Sequence, residues 1–117
     1  MRLRTRRIYE PARKSDGRRI LIDRLWPRGL SRERAQIDDW ARDIAVSDAL
    51  RRWYDHRPER WPEFRRRYFA ELDANAEAVE ALRDSLAKGT NTLLFGSRES
   101  ERNNATALRD YLLGVSE

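Results

Sequence analysis

Apolar positions recur with two different periods along the chain, and together these periods predict an α/β fold. Residues 2–9 (RLRTRRIY), 18–23 (RRILID) and 92–95 (TLLF) have the composition of three short strands. Only about eight residues separate the first two, so direct pairing between them would be antiparallel. The long segment before the third strand leaves room for a crossover. We therefore expect the second and third strands to be parallel neighbours or near neighbours.

Helical periodicity is strongest in the second half of the chain. Trp61, Phe64, Tyr68 and Leu72 follow Pro58 at spacings of three and four residues, which places them on one apolar face of a helix. Other helices are predicted at about 31–36, after Ser47, between Asn75 and Gly89, and at about 101–113. This order of elements is typical of a small, mostly parallel sheet flanked by helices.

Residues 37–46 (IDDWARDIAV) fit two structures. Apolar residues at i, i+3 and i+7 favour a helix, whereas Trp40, Ile44 and Val46 would also suit one face of a strand. The pattern leaves both alternatives open.

Charged residues follow two of the predicted strands at their carboxyl ends. Asp23 and Arg24 come directly after one apolar run, and Arg98 and Glu99 come shortly after another. Ligands of open parallel sheets bind outside the carboxyl ends of the strands, where loops and helix N-termini converge. We therefore expect these residues to face one cleft.

The segment Trp26-Pro27-Arg28-Gly29 gives this cleft a defined loop. Proline fixes one backbone dihedral and glycine permits positive φ, so Arg28 would be held ready for bidentate contact with phosphate or carboxylate. Trp26 could stack on a base, but a large aromatic residue beside a strand is more often part of the core.

Three residues are candidates for acid–base catalysis. Asp23 and Glu99 could act as general acid or base if burial raises their pKa values, although Asp23 could equally cap a loop or pair with an arginine. His56 precedes the helix with the clearest apolar periodicity, which follows Pro58, and it is the only histidine in the chain. Asn103, in the first turn of the last helix, could donate a hydrogen bond to a ligand.

Length and composition limit the other possibilities. The 117 residues fit one domain, and the absence of cysteine with a single histidine excludes disulfide scaffolds, thiol nucleophiles and multi-His metal sites. No metal or cofactor is indicated. The N-terminal segment lacks an apolar run, and no stretch is long enough to span a membrane, so we expect a cytoplasmic protein without membrane attachment.

The positive charge is concentrated in the first third of the chain. Residues 1–34 contain twelve Arg or Lys and four Asp or Glu, whereas the formal net charge of the whole chain is +5. Such an asymmetry could attract nucleic acid or a phosphorylated ligand.

Four segments carry a resemblance to a known family: DGRRILIDRLWPRGLSRE, IDDWARDIA, HRPERWPEFRRRYFAEL and TLLFGSRESERNNATAL. With these, the whole chain resembles the YeaO-like (DUF-488) proteins of bacteria. The resemblance implies a single Rossmann-like α/β domain over residues 1–117, with helices on both faces of the sheet. It does not name a reaction.

Two functional hypotheses remain. The leading one is an arginine-rich cleft at the strand ends that binds a nucleotide or another anionic metabolite, with or without catalysis by a hydrolase or transferase mechanism. The proposed catalytic residues are Asp23, His56 and Glu99, and the proposed binding residues are Arg24, Trp26, Arg28, Arg98 and Asn103. The alternative is a non-catalytic module that binds nucleic acid through the basic N-terminal third.

Overall fold

The computed structural model describes residues 1–115, and in them four strands form one parallel sheet in the order β1-β4-β2-β3. The strands are β1 (Arg2–Arg7), β2 (Arg18–Leu21), β3 (Asp39–Trp40) and β4 (Thr90–Phe95). The α-helices are α1 (Arg32–Ala35), α2 (Asp48–Tyr54), α3 (Trp61–Asp73), α4 (Ala76–Ser85) and α5 (Asn104–Leu113). The predicted α/β class is therefore confirmed.

Strand β4 is an inner strand of the sheet, and all of its residues except Thr90 are buried. Its residues Leu93 and Leu94 are fully buried, and it pairs with β1 on one side and β2 on the other. The parallel pairing of β2 with β4 confirms the prediction. Strands β1 and β2 do not pair with each other, so the short connection between them does not make them antiparallel.

Hydrophobic side chains pack on both faces of the sheet and form a three-layer arrangement. The larger cluster contains Ile20 and Leu93 together with the apolar faces of α2 to α5, including the predicted Phe64, Tyr68 and Leu72. The smaller cluster lies on the opposite face, beneath α1 and the loop that follows β2. In the described residues no helix is both long and apolar enough to cross a membrane.

Residues 37–46 form a two-residue strand followed by a 3-10 turn, so the helical alternative is wrong. Trp40 is in register with Leu21 of β2, and the N–H of Ala41 donates to the carbonyl of Leu21 at 2.8 Å. Pairing with the sheet therefore takes the backbone groups that a helix would need.

Two other predicted helix limits differ from the structure. The last helix begins at Asn104 because the side chain of Asn103 accepts a hydrogen bond from the N–H of Thr106 and caps it. Helix α4 ends at Ser85, before the predicted stop at Gly89. The helix predicted after Ser47 is confirmed as α2, and the Ser47 hydroxyl caps it by accepting a hydrogen bond from the N–H of Leu50.

A buried ion cluster joins β1, β2 and the connection between them. Both carboxylate oxygens of Asp16 accept from Arg6 at 2.8 Å, and one of them also accepts from Arg19 at 2.6 Å. Burial by itself would raise the pKa of Asp16, but the N–H of Arg13 and the two guanidinium groups hold this pKa below its ordinary value.

We expect Asp16→Asn to lower the free energy of unfolding by about 3–5 kcal/mol at neutral pH, because two buried guanidinium groups would lose their negative partner. The pKa of Asp16 is lowered by folding, so its contribution is complete above the unfolded value of about 4 and is lost as the pH falls through the folded value. The stability difference should therefore narrow in acid. Urea denaturation followed by circular dichroism measures both effects.

The exposed Asp84 on α4 provides a matched control for this substitution. Asp84→Asn makes the same chemical change and should leave the unfolding midpoint within error of the unsubstituted protein. Equal stability of Asp16→Asn and Asp84→Asn would contradict the role assigned to the cluster.

Candidate functional site

A cleft of about 680 Å³ lies at the carboxyl ends of β2 and β4. Its lining comes from residues 23–27 after β2, residues 96 and 97 after β4, the last part of α2, and the start of α5. Tyr9, which follows β1, also lines it. We call this space the strand-end cleft. The prediction that the ends of β2 and β4 share one hollow agrees with this geometry.

Asp23 is held in place by three elements of the fold. Its Oδ2 accepts a hydrogen bond from the N–H of Gly96 at 2.8 Å, and its Oδ1 accepts from the side-chain amide of Asn104 at 2.8 Å. The indole N–H of Trp40 donates to the Asp23 carbonyl at 2.8 Å. A Cβ at position 96 would lie 3.0 Å from Oδ2, so glycine at this position allows the close approach of strand and carboxylate.

The environment of Asp23 makes ionisation of its carboxyl less favourable than in water. Burial raises the pKa of this carboxyl, and the hydrogen bonds from Asn104 and Gly96 and the charge of Arg51 oppose the increase only in part. In the described part of the chain Asp23 has no ion pair, and both hydrogen bonds to its side chain come from uncharged donors. The sequence also allowed Asp23 to pair with an arginine, and the structure does not support that interpretation.

Three arginines line the strand-end cleft: Arg24, Arg51 and Arg52. Arg51 and Arg52 contact the carboxylate of Asp48 at 2.6 and 2.9 Å across one turn of α2. Within residues 1–115, the hydrogen bonds of Arg24 are long ones of 3.4 Å to the backbone carbonyls of Ala45 and Val46. Because its contacts are long and its side chain is exposed, Arg24 is the arginine most available to a ligand.

His56 also lines the cleft, at the end of α2, where it is exposed. It and Asp55 both have positive φ, 53° and 48°, so two consecutive residues other than glycine adopt the left-handed conformation. The neighbouring Tyr54 is buried, and its hydroxyl donates to the carbonyl of Arg102 at 2.9 Å. Burial raises the pKa of Tyr54, so the hydroxyl keeps its proton at neutral pH.

The cleft contains five of the eight residues that the sequence suggested for the site: Asp23, Arg24, Trp26, His56 and Asn103. Trp26 and Asn103, like Asp23, also make contacts that serve the fold. Trp26 packs on the smaller hydrophobic cluster, as expected for a core residue, and its indole N–H donates to the carbonyl of Leu30 at 2.6 Å. The Asn103 amide caps α5 and donates to the carbonyl of Glu99 at 2.7 Å.

Arg28, Arg98 and Glu99 are not among the residues that line the cleft. Arg28 and Arg98 are exposed on loops. The Glu99 carboxylate accepts hydrogen bonds from the backbone N–H groups of Glu101 and Arg102, and these bonds lower its pKa. A carboxylate stabilised in its charged form by the turn before α5 is a poor proton donor at neutral pH.

Sequence reasoning missed Asn104, Arg51 and Arg52. The two arginines follow Asp48 at positions i+3 and i+4, a spacing that indicates one helix face but not a cleft. The doublet Asn103-Asn104 was the available signal for Asn104, since one asparagine caps a helix and leaves the other free. In the described residues no group of three or more His, Cys, Asp or Glu side chains could hold a metal ion.

We expect Asn104→Ala to raise the pKa of Asp23 further, because Asn104 donates a hydrogen bond that favours the ionised carboxylate. The assigned ¹³C resonance of the Asp23 carboxyl, followed through a pH titration, gives this value directly. Asn75→Ala is the matched control, since the Asn75 amide donates to the carbonyl of Asp43 away from the cleft. An unchanged or lower Asp23 midpoint in Asn104→Ala would contradict the assigned contact.

Comparison with known proteins places the chain in a family. Residues 2–116 match the family model described as the inactive DUF488-N3 subclade. The uncharacterized protein YeaO of Escherichia coli (strain K12) is 37% identical over 112 residues, which cover 96% of this chain and 97% of YeaO. The uncharacterized protein Rv3073c of Mycobacterium tuberculosis (strain ATCC 25618 / H37Rv) is 38% identical over 113 residues, covering 97% and 95%.

No solved structure matches the chain. The family match and the two relatives nevertheless extend over nearly the full chain, as the resemblance in DRLWPRG and the other segments predicted. The chain therefore belongs to the YeaO-like DUF488 family, within the subclade described as inactive DUF488-N3.

Proposed function

We propose that the strand-end cleft binds a small phosphorylated or carboxylated metabolite, most simply a nucleotide, and holds it without chemical conversion. The observation that carries this proposal is the cleft itself: about 680 Å³ at the ends of two parallel strands, with three arginines in its lining. This volume is within the range of small-molecule sites, about 300–1,000 Å³.

The charges in the cleft support an anionic ligand. Arg24, Arg51 and Arg52 line it, whereas its acidic lining residues are Asp23 and Asp55. In the part of the chain that the structure describes, Arg24 hydrogen-bonds to backbone carbonyls at long distance, so a phosphate would offer its guanidinium shorter, charge-assisted hydrogen bonds. Arg51 and Arg52 already share Asp48 and would contribute mainly through their charge.

The placement of the acid–base candidates supports binding rather than turnover. Glu99 lies outside the cleft lining and serves the backbone of the following turn. His56 is exposed, and in the described residues no hydrogen bond joins His56 to Asp23. A nucleophile, its base and an orienting group would need such contacts. The word "inactive" in the description of the matching subclade agrees with this interpretation.

The structure gives less support to the alternative of nucleic-acid binding. Arg6 and Arg19 belong to the buried cluster around Asp16, and Arg7 donates to the carbonyl of Ser97 at 2.9 Å. Part of the basic charge of the N-terminal third therefore serves internal contacts. Arginines used in this way are not free to contact phosphates along a nucleic-acid backbone.

We expect Arg24→Ala to weaken binding of adenosine 5′-monophosphate and ribose 5-phosphate about tenfold, because one charge-assisted hydrogen bond to phosphate is lost. Isothermal titration calorimetry at low ionic strength measures the affinity. Arg34→Ala on α1 is the matched control, since Arg34 is exposed and outside the cleft.

Equal affinities of the two variants for these phosphates would contradict the assignment of the cleft. Tight binding of single-stranded oligonucleotides that is unaffected by Arg24→Ala and falls steeply with salt would instead favour the nucleic-acid alternative.

We expect no chemical conversion of a bound nucleotide. Prolonged incubation with saturating adenosine 5′-monophosphate should give neither a new ³¹P resonance nor free base by chromatography. A product that forms above the uncatalysed rate, and whose formation disappears in Asp23→Asn, would show turnover and contradict the proposal.

A further inference from the structure

We propose that Asp23 selects a ligand ring with two adjacent N–H donors, as on the guanine edge, so that the cleft takes a guanine nucleotide in preference to other phosphorylated compounds. This inference rests on the proposed function, because it assigns the second end of a ligand whose anionic end meets the arginines.

Asp23 has the capacity for this kind of contact, since its ionised form has one acceptor site left on each oxygen. An ionised carboxylate offers about four lone-pair sites. The N–H of Gly96 and the amide of Asn104 each take one of them, on different oxygens. Two parallel N–H donors of a ligand could take one more on each oxygen.

No cationic side chain already fills this role. The hydrogen bonds to the Asp23 side chain come from Gly96 and Asn104 alone in the described chain, and neither donor is charged. A partly buried carboxylate without a cationic partner is costly to the fold, and a ligand that donates hydrogen bonds to it recovers part of that cost. The Asp23 carboxylate can therefore still accept hydrogen bonds from a ligand.

The rest of the lining favours a flat ring beside Asp23. The side chains of Leu25, Trp26, Pro27, Val46 and Phe64 contribute apolar surface to the cleft. Leu25 is 64% exposed, so a ring that covers it would remove apolar surface from water. Tyr54 adds a ring whose hydroxyl already donates to the protein backbone, so it presents no free donor to compete for Asp23.

Other charges in the cleft do not offer the same contact. Asp55 lies at the exposed end of α2 and pairs with Arg57 at 3.6 Å. Arg24, Arg51 and Arg52 are donors and suit the phosphate. A guanine nucleotide satisfies both ends, because its ring carries two N–H donors on one edge and its phosphate carries the negative charge.

The test compares guanosine, inosine and xanthosine 5′-monophosphates, with ribose 5-phosphate as the probe without a ring. Inosine lacks the second donor, and xanthosine replaces it with a carbonyl that would face the carboxylate. We expect inosine monophosphate to bind about tenfold to a hundredfold more weakly than guanosine monophosphate, and xanthosine monophosphate more weakly still. Calorimetry at neutral pH gives the three affinities.

Asp23→Asn should bring the guanosine and inosine affinities within about threefold of each other, because the charge-assisted pair is lost. Asp84→Asn is the matched control on α4 and should keep the full difference. In the unsubstituted protein, guanosine monophosphate should also shift the ¹³C resonance of the Asp23 carboxyl by much more than ribose 5-phosphate does. This last measurement uses the unsubstituted protein, so it still tests the inference if Asp23→Asn does not fold.

Equal affinity for guanosine and inosine monophosphates, or an Asp23 resonance that guanosine monophosphate leaves unmoved, would overturn the inference. If ribose 5-phosphate still binds in an Arg24-dependent way, the proposed anion site survives that result. If none of the four phosphates binds, both the proposed function and this inference are wrong.

Discussion

The pairing of β4 with strands on both of its sides is the interaction on which the rest of the structure depends. It buries Leu93 and Leu94 completely, and it fixes β1 and β2 in register with the same residues of β4. The register of β2 against β4 also decides the site, because it brings Asp23 within hydrogen-bond distance of the N–H of Gly96. Small changes in this register would separate the carboxylate from its donor and open the base of the cleft.

The packing of the loop between β1 and β2 against β4 determines which residues this loop can contain. This loop has to pass β4, and its Gly17 has φ of 65° at a point where any Cβ would overlap the carbonyl oxygen of Thr90. Next to it, the carbonyl of Asp16 accepts from the hydroxyl of Thr92 at 2.7 Å. The Asp16 carboxylate can then satisfy Arg6 and Arg19 on the strands at either side of β4. A buried charge is tolerated here because every partner is supplied by this loop or by the two strands that it joins.

Local sequence pattern was sufficient wherever one element decides its own structure. The apolar face of α3, the cap at Ser47 and the strand composition of TLLF are local signals, and each predicted its element correctly. The pattern was insufficient at Trp40, where a two-residue pairing with β2 outweighs a helical period. It also could not show that β4 would separate β1 from β2, since strand order depends on which run is buried deepest across the whole sheet.

Some residues of the candidate site could likewise be located from local pattern, and others could not. Asp23 and Arg24 could be located from the sequence because they follow a buried strand directly, and the strand fixes where its last residues point. Arg28, Arg98 and Glu99 were assigned by proximity in sequence, yet loops of a few residues are long enough to turn them away from the cleft. Arg51, Arg52 and Asn104 enter it from helices whose packing on the sheet no local pattern specifies.

Under the proposed function, the contacts around Asp23 would orient an acceptor for a ligand. A general base must lie within hydrogen-bond reach of the proton that it takes, and its pKa must match that task. The Asp23 carboxylate is held by the N–H of Gly96, which follows β4, and by Asn104 of α5, while the Trp40 indole holds the Asp23 carbonyl. Such fixation lowers the entropy lost when a ligand binds, because the acceptor is already oriented. In the described residues the hydrogen bonds to the Asp23 carboxylate come from Gly96 and Asn104 and not from a hydroxyl or an imidazole, which is why our proposal assigns Asp23 to binding.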